Sequence, residues 1–331
     1  MSKRKSPHWP VLASGLLGWL AAFVAIGGAP GEFGLTGGTP AVAAEARPAS
    51  RARGLQKAAS KPQTIACCWQ VLETANFRIL SYGVQPVDAQ VGQACETLRN
   101  ELCAKWHAAE GTAAWCPKCD VVLHPTDASY LREVGAGGGS TVASSLVDHK
   151  DGSISLRRVD VRSQQSHWQT AALPHELTHV ILADCFLGRL VPRWIDEGAA
   201  LLADPAEKQL RHKAEMAGAL ADRSAFRVIE LMTLEDYPAG NRWGAFYGQS
   251  LSLVEYLTKQ RSTDEFIRFV QLSFDKGYDA SLREVYGLAD VAALERSWQS
   301  KATLPPHGVA SRGTARDVTL AEITMGSTAA N

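Results

Sequence analysis

Leu173-Pro174-His175-Glu176-Leu177-Thr178-His179-Val180-Ile181-Leu182 carries the pattern His-Glu-x-x-His. Two histidines four apart on a helix project from one face about one turn apart, so both imidazoles can reach one metal ion. Glu176, beside the first histidine, then borders the open coordination position, where a water would sit. It can take that water's proton during attack on a carbonyl. Leu173, Leu177, Val180 and Ile181 supply an apolar stripe for the opposite face of the helix. The pattern alone arises by chance in roughly one chain in a hundred of this length and composition, so a third ligand is required.

Val191-Pro192-Arg193-Trp194-Ile195-Asp196-Glu197-Gly198-Ala199-Ala200-Leu201-Leu202 supplies one. The spacing predicts a first helix ending near Gly188, a turn at Pro192, and a returning second helix that brings Glu197 to His175 and His179. Two imidazoles and one carboxylate make a zinc site whose fourth position stays open. Asp196 is the rival ligand, but its side chain is shorter and points about 100° away on the helix. Glu197 is therefore the expected third ligand.

Further on, Tyr247-Gly248-Gln249-Ser250-Leu251-Ser252-Leu253-Val254-Glu255-Tyr256-Leu257 places a tyrosine at the head of an apolar helix. Taken with His-Glu-x-x-His and Trp-Ile-Asp-Glu-Gly, this order resembles the gluzincin zinc metallopeptidases, the group of thermolysin and the zinc aminopeptidases. Within that group it is similar to the peptidase MA-like domains, over roughly residues 70–300. The resemblance implies Zn2+ held by His175, His179 and Glu197, Glu176 as general base, and Tyr247 as hydrogen-bond donor to the oxyanion. The competing reading of Tyr247 is a tyrosine capping a core helix. The chain lacks the Gly-x-Met-Glu-Asn segment that holds the substrate's free amine in the aminopeptidases. The expected activity is therefore hydrolysis of peptide or protein substrates without aminopeptidase action. A non-catalytic, zinc-stabilised binding module of the cell envelope is the alternative.

The ends bound the setting. Lys3, Arg4 and Lys5 precede an uncharged apolar run from Val11 to Ile26, and Ala41-Val42-Ala43 offers a cleavage site. Residues 1–44 read as a signal peptide or an uncleaved anchor, and either places the catalytic region outside the cytoplasm. Residues 45–66 read as a flexible linker and 303–331 as a disordered tail. Net charge is zero and no basic run follows the N-terminus, which excludes nucleic acid as the expected partner. An apolar content of 46% is ample for a buried core.

The expected fold is α+β: a small Cys-rich sheet lobe at 67–162, then a mainly helical, gluzincin-like lobe at 163–302 carrying the zinc helix. Strands are expected at Asn76–Leu80, Asp120–His124 and Ser153–Val159, with a helix from Pro86 to Trp106. Helical spacing recurs at Lys208–Leu220, Trp243–Lys259, Asp264–Phe274, Ala280–Tyr286 and Asp290–Trp298. The Gly135–Ser140 run lacks the context of a phosphate loop and reads as a mobile loop over the cleft. Cysteines at 67, 68, 95, 103, 116 and 119 suggest disulfides in an exported chain. Cys116-Pro117-Lys118-Cys119 also admits half a metal site or a redox pair, and Cys185 reads as a buried thiol. His124 and His167 stand near enough in sequence to serve as substrate contacts, or as ordinary surface or supporting residues.

Overall fold

The computed structural model describes residues 69–83, 87–106 and 113–302. The expected targeting segment 1–44, the linker 45–66, Cys67, Cys68 and the tail 303–331 lie outside these residues. The architecture is α+β. Strands β1 (Trp69–Glu73) and β2 (Phe77–Tyr82) lead into helix α1 (Ala89–Trp106). Strand β3 (Cys119–His124), the short helix α2 (Asp127–Val134), and strands β4 (Ala143–Lys150) and β5 (Ser153–Arg162) complete the sheet half. Helices then follow as α3 (Leu173–Cys185), α4 (Arg193–Leu201), α5 (Ala206–Ala221), α6 (Val228–Met232) and α7 (Trp243–Gln260). The last three are α8 (Thr263–Lys276), α9 (Tyr278–Tyr286) and α10 (Val291–Ala302).

The sheet order is β1-β2-β3-β5-β4. The central pairs β2/β3 and β3/β5 are parallel, and the outer pairs β1/β2 and β4/β5 are antiparallel. Parallel central strands are buried on both faces, and Val121, Val159 and Val161 are almost fully enclosed. β4 is thus an edge strand, and it packs along α3. Arg157 on β5 bonds Asp184 near the end of α3, tying sheet to helix.

One apolar core runs through both halves. Trp106 of α1, Trp194 of α4 and Phe266 of α8 are all fully enclosed, with Phe266 6.3 Å from the Trp106 ring and 6.4 Å from the Trp194 ring. Burying side chains of this kind contributes about 1.5–3 kcal/mol each. α4 lies close against α7 because Gly198 has no side chain: a Cβ there would stand 2.6 Å from Val254 Cγ2 and closer still to Ser250 O.

Three expectations change. The Gly135–Ser140 run is not an open loop: Ala136–Ser140 forms a 3-10 turn whose Gly138 is buried and whose carbonyl accepts from Arg162 at 2.9 Å. β1, α2, β4 and α6 are additional elements; α2 is short, started by a Thr126–Ser129 capping box. Finally, Cys95, Cys103, Cys116 and Cys119 are free thiols, so no disulfide staples the described part of the sheet half. Cys95, Cys103 and Cys119 fill the apolar core as small hydrophobes, and burial pushes the Cys95 thiol up to about 12. Cys185 is a buried thiol whose Sγ lies 4.0 Å from Trp106 O.

Candidate metal centre and catalytic cavity

α3 begins at Leu173 with Pro174 in its first turn, where the missing N–H costs nothing. A π-helical turn at Trp168–Ala172 feeds into it. Leu173, Leu177, Val180 and Ile181 are buried, as the apolar stripe requires. The opposite face carries His175 and His179, whose rings lie edge to face at 5.0 Å. α3 ends at Cys185, Gly188 turns the chain in the left-handed region (φ +74°), and α4 starts one residue after Pro192.

This hairpin of helices brings His175, His179 and Glu197 together, with one donor atom from each inside a sphere of mutual distances under 4.8 Å. His175 Nε2 and Glu197 Oε2 face one another at 3.7 Å. Both atoms are buried without a hydrogen-bond partner, which is costly unless something else satisfies them. A divalent cation between them does so, and two imidazoles with one carboxylate suit Zn2+. The donor set therefore fits zinc.

Two further carboxylates stand behind the rings. Asp196 Oδ1 lies 2.7 Å from His179 Nδ1, and Asp204 Oδ1 lies 3.3 Å from His175 Nδ1. Asp196 is thus a partner of the second histidine and not a member of the ligand cluster. Asp204 is itself held by Lys208 at 2.7 Å. Burial alone would lower the His179 pKa, but Asp196, with Glu197 and Glu176, outweighs it and raises it to about 10. Burial also works to raise the Asp204 carboxyl, and His175 and Lys208 outweigh it, holding it below the usual carboxylate range. At Glu197 burial prevails and the carboxyl is pushed up.

Glu176 lies on the wall of a cavity of about 230 Å3 shared with His179, Asp196 and Glu197. Ser145 of β4 donates its hydroxyl to Glu176 Oε2 at 2.7 Å. The phenol that reaches the ligands is Tyr237, which donates to Glu197 Oε1 at 2.5 Å and lines the cavity. Burial and the Glu197 carboxylate hold this phenol far above its ordinary pKa, so it stays protonated. Tyr247, expected in that role, is buried one aromatic layer back. Its ring stacks on Trp243 at 5.6 Å and packs against His212, while Trp243 stacks on Tyr237. His124 is buried against Asp160 at 2.7 Å, and His167, in the left-handed region, precedes the π-helical turn. A second cavity, on the other side of His175 and Glu176, includes His167, Lys208 and Arg211.

Residues 149–303 match the peptidase MA superfamily. The match begins inside β4 and takes in α3, α4 and the helices that follow, so it covers every residue of the metal cluster. It supports a metallopeptidase-like domain over this part of the chain. No curated protein matches the chain. Among the described residues, no helix is long and apolar enough to cross a membrane.

Proposed function

We propose that the chain is an exported, zinc-dependent metallopeptidase of gluzincin type that hydrolyses peptide bonds. The observation carrying this reading is the cluster of His175, His179 and Glu197 with Glu176 on the wall of the adjoining cavity. When bound there, Zn2+ supplies Lewis-acid polarisation of the scissile carbonyl and acidifies water. Glu176 acts as general base toward the attacking water and returns the proton to the leaving amine. Ser145 fixes one oxygen of Glu176, leaving the other to face the substrate. Asp196 orients the His179 imidazole, and Asp204 places a negative charge behind that of His175. Tyr237 turns its single hydroxyl proton from Glu197 Oε1 to the oxygen on which charge develops, the part the resemblance assigned to Tyr247. Export rests on the basic and apolar N-terminal segment, either cleaved or kept as an anchor.

The test joins elemental analysis to a peptide-library digest. The mature chain should bind one zinc and cleave library peptides, and His179→Ala should abolish both. Zinc without turnover in the wild type would instead favour the zinc-stabilised binding module.

A further inference from the structure

We infer that the cavity beside the metal cluster is built to take a carboxylate of the substrate, either an acidic side chain or a free C-terminus. This rests on the peptidase reading above and names the substrate class for the same site. The cavity's own carboxylates, Glu176, Asp196 and Glu197, all belong to the metal end. Away from His179 and the Tyr237 phenol, which also belong to the metal end, its remaining chargeable groups are Arg193, Arg189 and His149, all cationic when charged. A peptide lying in the cavity therefore meets acid at the scissile bond and base a short distance away.

Arg193 is the anchor of this arrangement. It opens α4, four residues before Glu197, and its guanidinium lies over the Tyr237 ring at 4.9 Å from the centroid. The Tyr237 hydroxyl bonds Glu197. Guanidinium and ligand carboxylate thus flank a single phenol, a gap that one or two residues of extended chain bridge at roughly 3.3 Å per residue. A planar guanidinium binds a carboxylate through two parallel hydrogen bonds, which gives direction as well as strength. Arg189 adds a second cation. Its pair with Asp275 at 2.7 Å is solvent-exposed on both sides, and such pairs exchange partners at little cost. Leu190 and Val191, on the same wall, offer an apolar surface to the methylenes of a glutamate or to a neighbouring aliphatic side chain. A polyanion is disfavoured by the three carboxylates at the other end.

Three matched peptides test this on the full-length mature protein: one with an internal Glu and an amidated C-terminus, one neutral with a free C-terminus, and one neutral and amidated. Wild type should favour one or both carboxylate peptides over the neutral amide by roughly 10- to 100-fold in kcat/KM. The arm that shows the preference identifies the source of the carboxylate. Arg193→Gln should bring that ratio to within about twofold of unity, and Arg193→Lys should restore part of it. Equal cleavage of all three peptides by wild type, or an unchanged ratio in Arg193→Gln, overturns the inference while leaving the peptidase reading intact. If wild type cleaves none of them, the peptidase reading fails. The carboxylate preference is then read from equilibrium binding of fluorescent versions to the Zn2+-reconstituted protein. Equal binding of all three overturns it there too.

Discussion

Asp196 Oδ1 lies 2.7 Å from His179 Nδ1, so the residue beside one candidate ligand orients the ring of another. The pair fixes which nitrogen of His179 faces the candidate metal position, because the bonded nitrogen must point at Asp196. Asp204, in the loop after α4, lies 3.3 Å from His175 Nδ1 as a charge partner, without hydrogen-bond geometry. Asp196→Asn should keep the fold and lower zinc affinity about 10- to 100-fold, read by titration against a competing chelator. Unaltered affinity would show that the contact does not tune the site.

Tyr237 and Tyr247 separate two roles for a phenol. Tyr237→Phe removes the hydroxyl on the cavity wall and should lower kcat by on the order of 10²-fold with zinc retained. Tyr247→Phe acts one layer back, where its ring packs with Trp243 and His212, and should leave kcat within a few-fold of wild type. Steady-state kinetics on one peptide substrate compares the two. The reverse ranking would return the oxyanion role to Tyr247.

Gly198→Ala probes how α4 is held. The new methyl would press into Ser250 O and Val254 Cγ2, an overpacking that costs about 1–3 kcal/mol or more. Because Gly198 adjoins Glu197, zinc affinity should fall along with the thermal midpoint. A variant matching wild type in both would mean that the α4–α7 contact is looser than described.

What the sequence made legible follows from chain distance. His175, His179 and Glu176 sit within one turn and a half of a helix, and Glu197 follows on the next helix, so spacing alone brings them together. The apolar stripe of α3 and the helical periods of α5 and α7–α10 are equally local signals. Ser145 and Tyr237 were not legible as site residues. They reach it from an edge strand and from a loop far away in the chain, and no spacing rule links them to the zinc helix. β4 itself reads Ala-Ser-Ser-Leu-Val-Asp-His-Lys, with no clean alternation, because its burial fades from Ala143 to the exposed end at Asp148, His149 and Lys150 instead of alternating between faces. Tyr247 drew attention because it heads an apolar helix, yet that helix turns the ring toward α5. The cysteine count suggested staples, whereas burial makes Cys95, Cys103 and Cys119 part of the core.

Asp160 gives the sheet half a defined acid sensitivity. Its Oδ1 lies 2.7 Å from His124 Nε2 and 2.8 Å from Arg158 Nη2. Burial works to raise the carboxyl, and His124 and Arg158 outweigh it, so the folded pKa lies below the unfolded one. Its stabilisation is therefore fully present above the unfolded value, about 3.9, and is lost as pH falls through the folded value. Asp160→Asn should be less stable than wild type at neutral pH by about 1.5–3 kcal/mol. The two should converge in acid, as denaturant unfolding across a pH series would record. A constant gap at every pH would contradict the depressed carboxyl.

Glu176→Gln tests the central claim most directly, with zinc affinity and peptide turnover measured on one preparation. Glu176 lies outside the three-residue ligand cluster but on the same cavity wall. The amide should therefore keep zinc at near wild-type affinity while turnover falls about 10²- to 10⁴-fold, the loss expected for a missing general base. Turnover at the wild-type rate with zinc bound would contradict the mechanism, whatever the fold.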